Sequence, residues 1–144
     1  MLTSFNHTGV VVRDIDAMVR FYTEELGLKE EARFETDASV RADHTGIAGA
    51  KRTVVFLGLG GAHQLELVHY LAPVASDGHL DKHQFGATHV CFLVDDLVAL
   101  HDDLSAKGVP FVTEPVFDNT PDGGQWGVAY CQDPEGNYLE FIEL

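Results

Sequence analysis

The sequence predicts an α+β fold built from two tandem copies of one module, each a strand, a helix and then several strands. Three observations carry that expectation. HTGVVVRDIDAMVRFYTEELGL, from His7, and HVCFLVDDLVALHDDLSAKGV, from His89, follow one plan of apolar run, acidic turn, amphipathic stretch and glycine. VVFLGLGGAHQLELV (54–68) and VAYCQDPEGNYLEFI (128–142) both read as two strands joined by a turn. Phe56 precedes Glu66 by ten residues and Tyr130 precedes Glu140 by ten. Self-similarity at this level marks a duplicated unit, whatever any single residue does.

The elements follow in order. The run from His7 is a strand that turns at Arg13-Asp14, and Asp14 or Asp16 can cap the helix that follows. Ala17, Met18, Phe21, Tyr22 and Leu26 recur at helical spacing until Gly27 stops it. A glycine turn then joins the two strands around Phe56 and Glu66. The stretch LAPVASDGHLDKHQFGA, about 71–87, is a linker between module one (about 5–70) and module two (about 88–144) of a single domain, 1–144. In the second module Asp95-Asp96 starts a helix with Leu97, Leu100 and Leu104 on one face, and Gly108 ends it. Asp-Pro-Glu-Gly joins the last two strands.

Composition narrows the function. At 144 residues, 45% hydrophobic and 22% charged, the chain suits one soluble domain, and no apolar run approaches the roughly 20 residues that cross a bilayer. With 23 acidic against 9 basic residues the formal charge of -14 repels phosphate backbones and anionic membrane surfaces, so neither nucleic acid nor membrane is an expected partner. The opening residues lack a secretory pattern, and Cys91 and Cys131 fall in apolar runs as reduced thiols do. The expected setting is the cytoplasm.

Strand residues alternate between faces. Val10, Val12, Val90, Phe92 and Val94 therefore pack under the helices, as do Leu65, Leu67, Leu139 and Phe141. That sends His7, Glu66, His89 and Glu140 to the other face, one imidazole and one carboxylate from each module. Their neighbours there include Gly9, Val11, Val68, Cys91 and Leu93, too apolar for an ordinary wet face. Carboxylates in a cleft of that kind cost several kcal/mol each unless paired or bound to a cation. Imidazoles with carboxylates suit one divalent ion such as Zn, Ni, Co, Mn or Fe.

On HTGVVVRDIDAMVRFYTEELGL, LELVHY, GATHVCFLVDDL and DPEGNYLEFIEL, the chain resembles the vicinal oxygen chelate family over nearly its whole length. That family includes glyoxalase I, methylmalonyl-CoA epimerase, extradiol dioxygenases and the fosfomycin and bleomycin resistance proteins. The resemblance implies two βαβββ modules that form a curved mixed sheet around a metal-binding cleft. It places the ligands at His7, Glu66, His89 and Glu140, and it implies a homodimer acting on a small-molecule substrate. The implied chemistry is that of a metal-dependent isomerase, epimerase or lyase of the glyoxalase type, which chelates a small carbonyl substrate through two oxygens and stabilises an enolate-like intermediate.

An Fe(II) dioxygenase using His7, His89 and Glu140, or a drug-binding resistance protein without enzymatic activity, is the alternative; Glu66 and the complete donor set argue against these. In short bacterial glyoxalase I the positions of Val11 and Tyr70 carry an arginine and an asparagine that help to hold glutathione, which puts that cosubstrate in doubt. Where the epimerase has its catalytic glutamate, this chain has His44-Thr45-Gly46-Ile47. The expected catalytic residues are Glu140 and His44, the latter either a base suited to neutral pH or simply an exposed loop histidine. His79 and His83 read as solvated linker histidines. Trp126, in NTPDGGQW (119–126), reads either as part of a lid or as an anchor of a plain loop.

Overall fold

The computed structural model describes residues 3–38, 44–74, 76, 78–120 and 123–144. It divides into two compact units, Met1–Asp77 and Gly78–Leu144, and the boundary falls within the 71–87 stretch. The first unit contains β1 (His7–Val11), α1 (Ile15–Arg20), β2 (Lys29–Asp37), β3 (Lys51–Gly58) and β4 (Gln64–Ala72). The second contains β5 (His89–Leu93), α2 (Leu97–Ala106), β6 (Val116–Asn119), β7 (Gln125–Gln132) and β8 (Tyr138–Glu143). Each unit is thus a βαβββ module with its own four-stranded mixed sheet, ordered β1-β4-β3-β2 in one and β5-β8-β7-β6 in the other.

In each sheet the first strand runs parallel to the last, and the remaining pairs are antiparallel. A parallel pair needs a crossover, and the helix supplies it. Asp14 starts α1 by accepting from the Ala17 amide at 2.9 Å, and Asp96 starts α2 by accepting from the Ala99 amide at 2.9 Å. Asp16 has a different job, pairing with Arg33 at 3.0 Å. Beyond Arg20 the first helix widens into a π-helical turn, Phe21–Glu25, which buries the adjacent aromatics Phe21 and Tyr22. Gly27 then ends it at φ 74°, as Gly108 ends the second helical segment at φ 87°.

Each sheet packs one face against its helix. Met18 and Tyr22 are fully buried with Leu65 and Leu67 in the first unit, as Leu97 and Leu104 are with Leu139 and Phe141 in the second. Burial of each such side chain is worth about 1.5–3 kcal/mol. The outer strands β2 and β6 are exposed along most of their length, and charge on β2 protects that edge from pairing with another chain. NTPDGGQW is the β6–β7 hairpin: Asn119 pairs with Gln125 and Asp118 with Trp126, while residues 121–122 lie outside the described residues. Residues 39–43 also lie outside them.

Candidate functional site

Register explains how each unit brings its histidine to its glutamate. Gly9 on β1 lies beside Glu66 on β4, and Cys91 on β5 lies beside Glu140 on β8. The histidine two residues before each of these neighbours points to the same face. His7 Nε2 stands 3.3 Å from Glu66 Oε2, and His89 Nε2 stands 3.2 Å from Glu140 Oε2. The carboxylates are the better-covered partners, at 21% and 15% exposure.

The third side of each pair is an aromatic ring. Phe56 lies across from Glu66 and Tyr130 across from Glu140. His7 meets Phe56 edge-on at a centroid distance of 5.5 Å, and His89 meets Tyr130 edge-on at 5.4 Å. The rings hold the imidazoles upright over the sheet. The ten-residue spacing in the sequence is the imprint of this arrangement.

The two half-sites differ at both flanking positions. In the first, Gly9 leaves room for the carboxylate: a Cβ there would come within 3.1 Å of Glu66 Oε2. In the second, Cys91 and Tyr130 bring a thiol and a hydroxyl to Glu140. The Tyr130 hydroxyl lies 3.5 Å from His89 Nε2. Burial, and then the neighbouring Glu140 carboxylate, push the Tyr130 hydroxyl up to about 12 and the Cys91 thiol up to about 11. Comparing the paired positions 56/130 and 9/91 in the sequence reveals this difference, which the His and Glu pattern alone leaves out.

The structure brings His7 to Glu66 and His89 to Glu140. Among the described residues no group of three or more His, Cys, Asp or Glu side chains is placed to hold a metal ion. The donor chemistry of each pair, one imidazole nitrogen beside one carboxylate oxygen, fits a borderline divalent cation. His44 lies in an exposed turn. His79 and His83 are exposed in non-helical chain, where His83 pairs with Asp81 at 3.2 Å. Tyr70 lies beneath the guanidinium of buried Arg52, 5.6 Å from its ring centre, while Val11 is 52% exposed on the face of His7. Arg52, whose Nε donates to Thr36 Oγ1 at 3.1 Å, follows Lys51 at the start of the apolar run TVVFLG.

Comparison with known proteins bears on the same features. The profile of the glyoxalase/bleomycin resistance protein/dioxygenase superfamily matches residues 4–141. The lactoylglutathione lyase of Pseudomonas aeruginosa is 32% identical, the match covering 96% of this chain and 81% of that one. The uncharacterised protein YwbC of Bacillus subtilis is 28% identical over 99% of both chains. Among solved structures, a glyoxalase family protein from Bacillus cereus superposes with a TM-score of 0.86 at 22% identity, covering 99% of this chain and 95% of its own. The trypanothione-dependent glyoxalase I of Leishmania major gives 0.67 at 25% identity, over 99% and 87%. With the βαβββ unit present twice and the profile spanning both copies, the chain belongs to the glyoxalase/bleomycin resistance protein/dioxygenase superfamily.

Proposed function

We propose that the protein is a divalent-metal-dependent lyase or isomerase of the glyoxalase type, acting on a small carbonyl compound. One observation carries the reading: the same His–Glu pair, at 3.3 and 3.2 Å, is built by the same register in both modules. An exposed sheet face has no structural need for a matched pair in each copy. His7, Glu66, His89 and Glu140 would be the donors for such an ion, one imidazole and one carboxylate from each module. Bound there, a divalent cation supplies Lewis acidity toward a carbonyl oxygen.

The chain's own residues do the rest. Glu140 is the carboxylate we assign to taking and returning the proton on the carbon beside the carbonyl, with His44 as a second candidate base. Val11, Val68 and Leu93 put apolar side chains on the two faces that carry the histidines and glutamates. The lactoylglutathione lyase relative supports lyase chemistry, whereas Val11 and Tyr70 favour a substrate other than a glutathione adduct. A homodimer follows from the family resemblance and is supported by the exposure of Val11 and Leu93, 52% and 71%. Two free thiols suit the cytoplasm, and no helix among the described residues is long and apolar enough to cross a membrane.

The test is elemental analysis of the purified protein, followed by assay of the Ni, Co, Zn, Mn and Fe forms on 2-oxoaldehydes with and without glutathione. Stoichiometric metal, and turnover lost in both Glu66→Gln and Glu140→Gln, is the expected result. A metal-free protein that cannot be loaded would overturn the proposal.

A further inference from the structure

The duplication turns the two half-sites into an internal comparison. Both present the same donor atoms, and both pack an aromatic ring edge-on against the histidine. What differs is the protic chemistry around the carboxylate. Glu66 sits between Gly9 and Phe56, neither of which can donate from a side chain, and among the described residues its recorded polar side-chain partner is His7. Glu140 sits between Cys91 and Tyr130, and both can donate.

We infer that the Tyr130 hydroxyl is a positioning group that locks the Glu140 carboxylate against His89, making Glu140 the stiff donor and Glu66 the adjustable one. This rests on the four-ligand reading above and deepens it. The hydroxyl is 3.5 Å from His89 Nε2, and Tyr130 lies directly across from Glu140, whose carboxylate is also its side-chain hydrogen-bond partner. A carboxylate that accepts from a fixed hydroxyl loses rotational freedom, and a base aimed at one carbon gains from that loss. Glu66 has a bare glycine beneath it and only ring carbon across from it, so it can swing to accommodate substrate. Tyr130 is thus distinct from the donors, touching them rather than the reacting atoms.

The variant is Tyr130→Phe, which gives the second half-site the ring that Phe56 already provides in the first, so the packing it needs is known to fit. Two measurements follow on the full chain. In the metal-free protein, a double-mutant cycle of Tyr130→Phe with Glu140→Ala is read by melting temperature; Tyr130→Phe should cost stability beside Glu140 and much less beside Ala. In the second, cobalt(II) binding alone is titrated, and Tyr130→Phe should weaken it by about tenfold, within the usual range for outer partners of a ligand. Turnover should show a fall in kcat with KM little changed. Equal losses of stability in the two backgrounds, or unchanged cobalt affinity, overturns the inference. A wild-type chain that binds no cobalt overturns the four-ligand reading instead, and coupling in the cycle would then still support the locking of Glu140.

Discussion

Gly9→Ala isolates the first half-site from the fold. The backbone of Gly9 needs no positive φ, and an alanine in a strand is worth about 0.5–1 kcal/mol more than a glycine, so the substitution should not harm folding. Its methyl group, however, would stand 3.1 Å from Glu66 Oε2, where an ordinary contact needs about 3.5 Å. The carboxylate must retreat by about 0.4 Å. That is roughly twice the tolerance of about 0.2 Å on a metal–ligand distance. Because Glu66 is the adjustable donor, the expected cost lies at the low end for a disturbed ligand, about tenfold in metal affinity, or about 1.4 kcal/mol. Melting temperature of the metal-free chain should hold or rise by up to about 4 °C. Calorimetric titration with cobalt(II) or zinc, paired with thermal unfolding of the metal-free protein, separates the two effects. Wild-type metal affinity in Gly9→Ala, or a loss that tracks a lower melting temperature, would refute the reasoning.

Gly127→Ala should behave in the opposite sense: its methyl would come within 2.7 Å of Phe117 Cδ1 and 3.0 Å of Leu97 Cδ2, and such overpacking costs about 1–3 kcal/mol in chemical denaturation, with the first unit's half-site untouched. Asp96→Ala removes the hydrogen bond to the Ala99 amide and should cost about 1 kcal/mol, measured the same way. Alkaline stability should fall. Burial, and then the charge of Asp133, push the Cys131 thiol from its ordinary 9.0 up to about 12, so between those values the unfolded chain releases a proton that the folded chain keeps. Stability is therefore intact below about pH 9 and is lost progressively toward pH 12, with Cys91 and Tyr130 acting in the same direction; Cys131→Ala should flatten the urea midpoint against pH over that window.

Much of this architecture was legible because duplication doubles every signal. The strand with Val10 and Val12, the cap before Ile15, and the pairs Leu65–Leu67 and Leu139–Phe141 all follow from period and turn chemistry; the chain buries Val12, Ile15 and both pairs, and leaves Val10 half-buried. What escaped the pattern has physical reasons. β2, KEEARFETD, is an edge strand whose charges serve to keep it apart from other chains, so alternation hardly shows. The π turn at Phe21–Glu25 adds one residue to a helical period and leaves no mark in a 3.6-residue count. NTPDGGQW carries hairpin glycines that read equally well as a hinge.

The site was legible in a different way. Periodicity says which face a residue takes but not how far its side chain stands from one on the next strand; that depends on register. In a parallel pair such as β1 with β4, register is set by the crossover helix and by the strand between, none of which a local pattern encodes. Finding Gly9 beside Glu66 and Cys91 beside Glu140 required both sheets to settle on one alignment. That the two copies settle alike is what the repeated imidazole and carboxylate demand, since a shift of one residue would turn either glutamate into the core. A one-residue deletion in the loop between Leu59 and His63 should therefore leave the helix cap intact and destroy the site, because it alters only the alignment of β4.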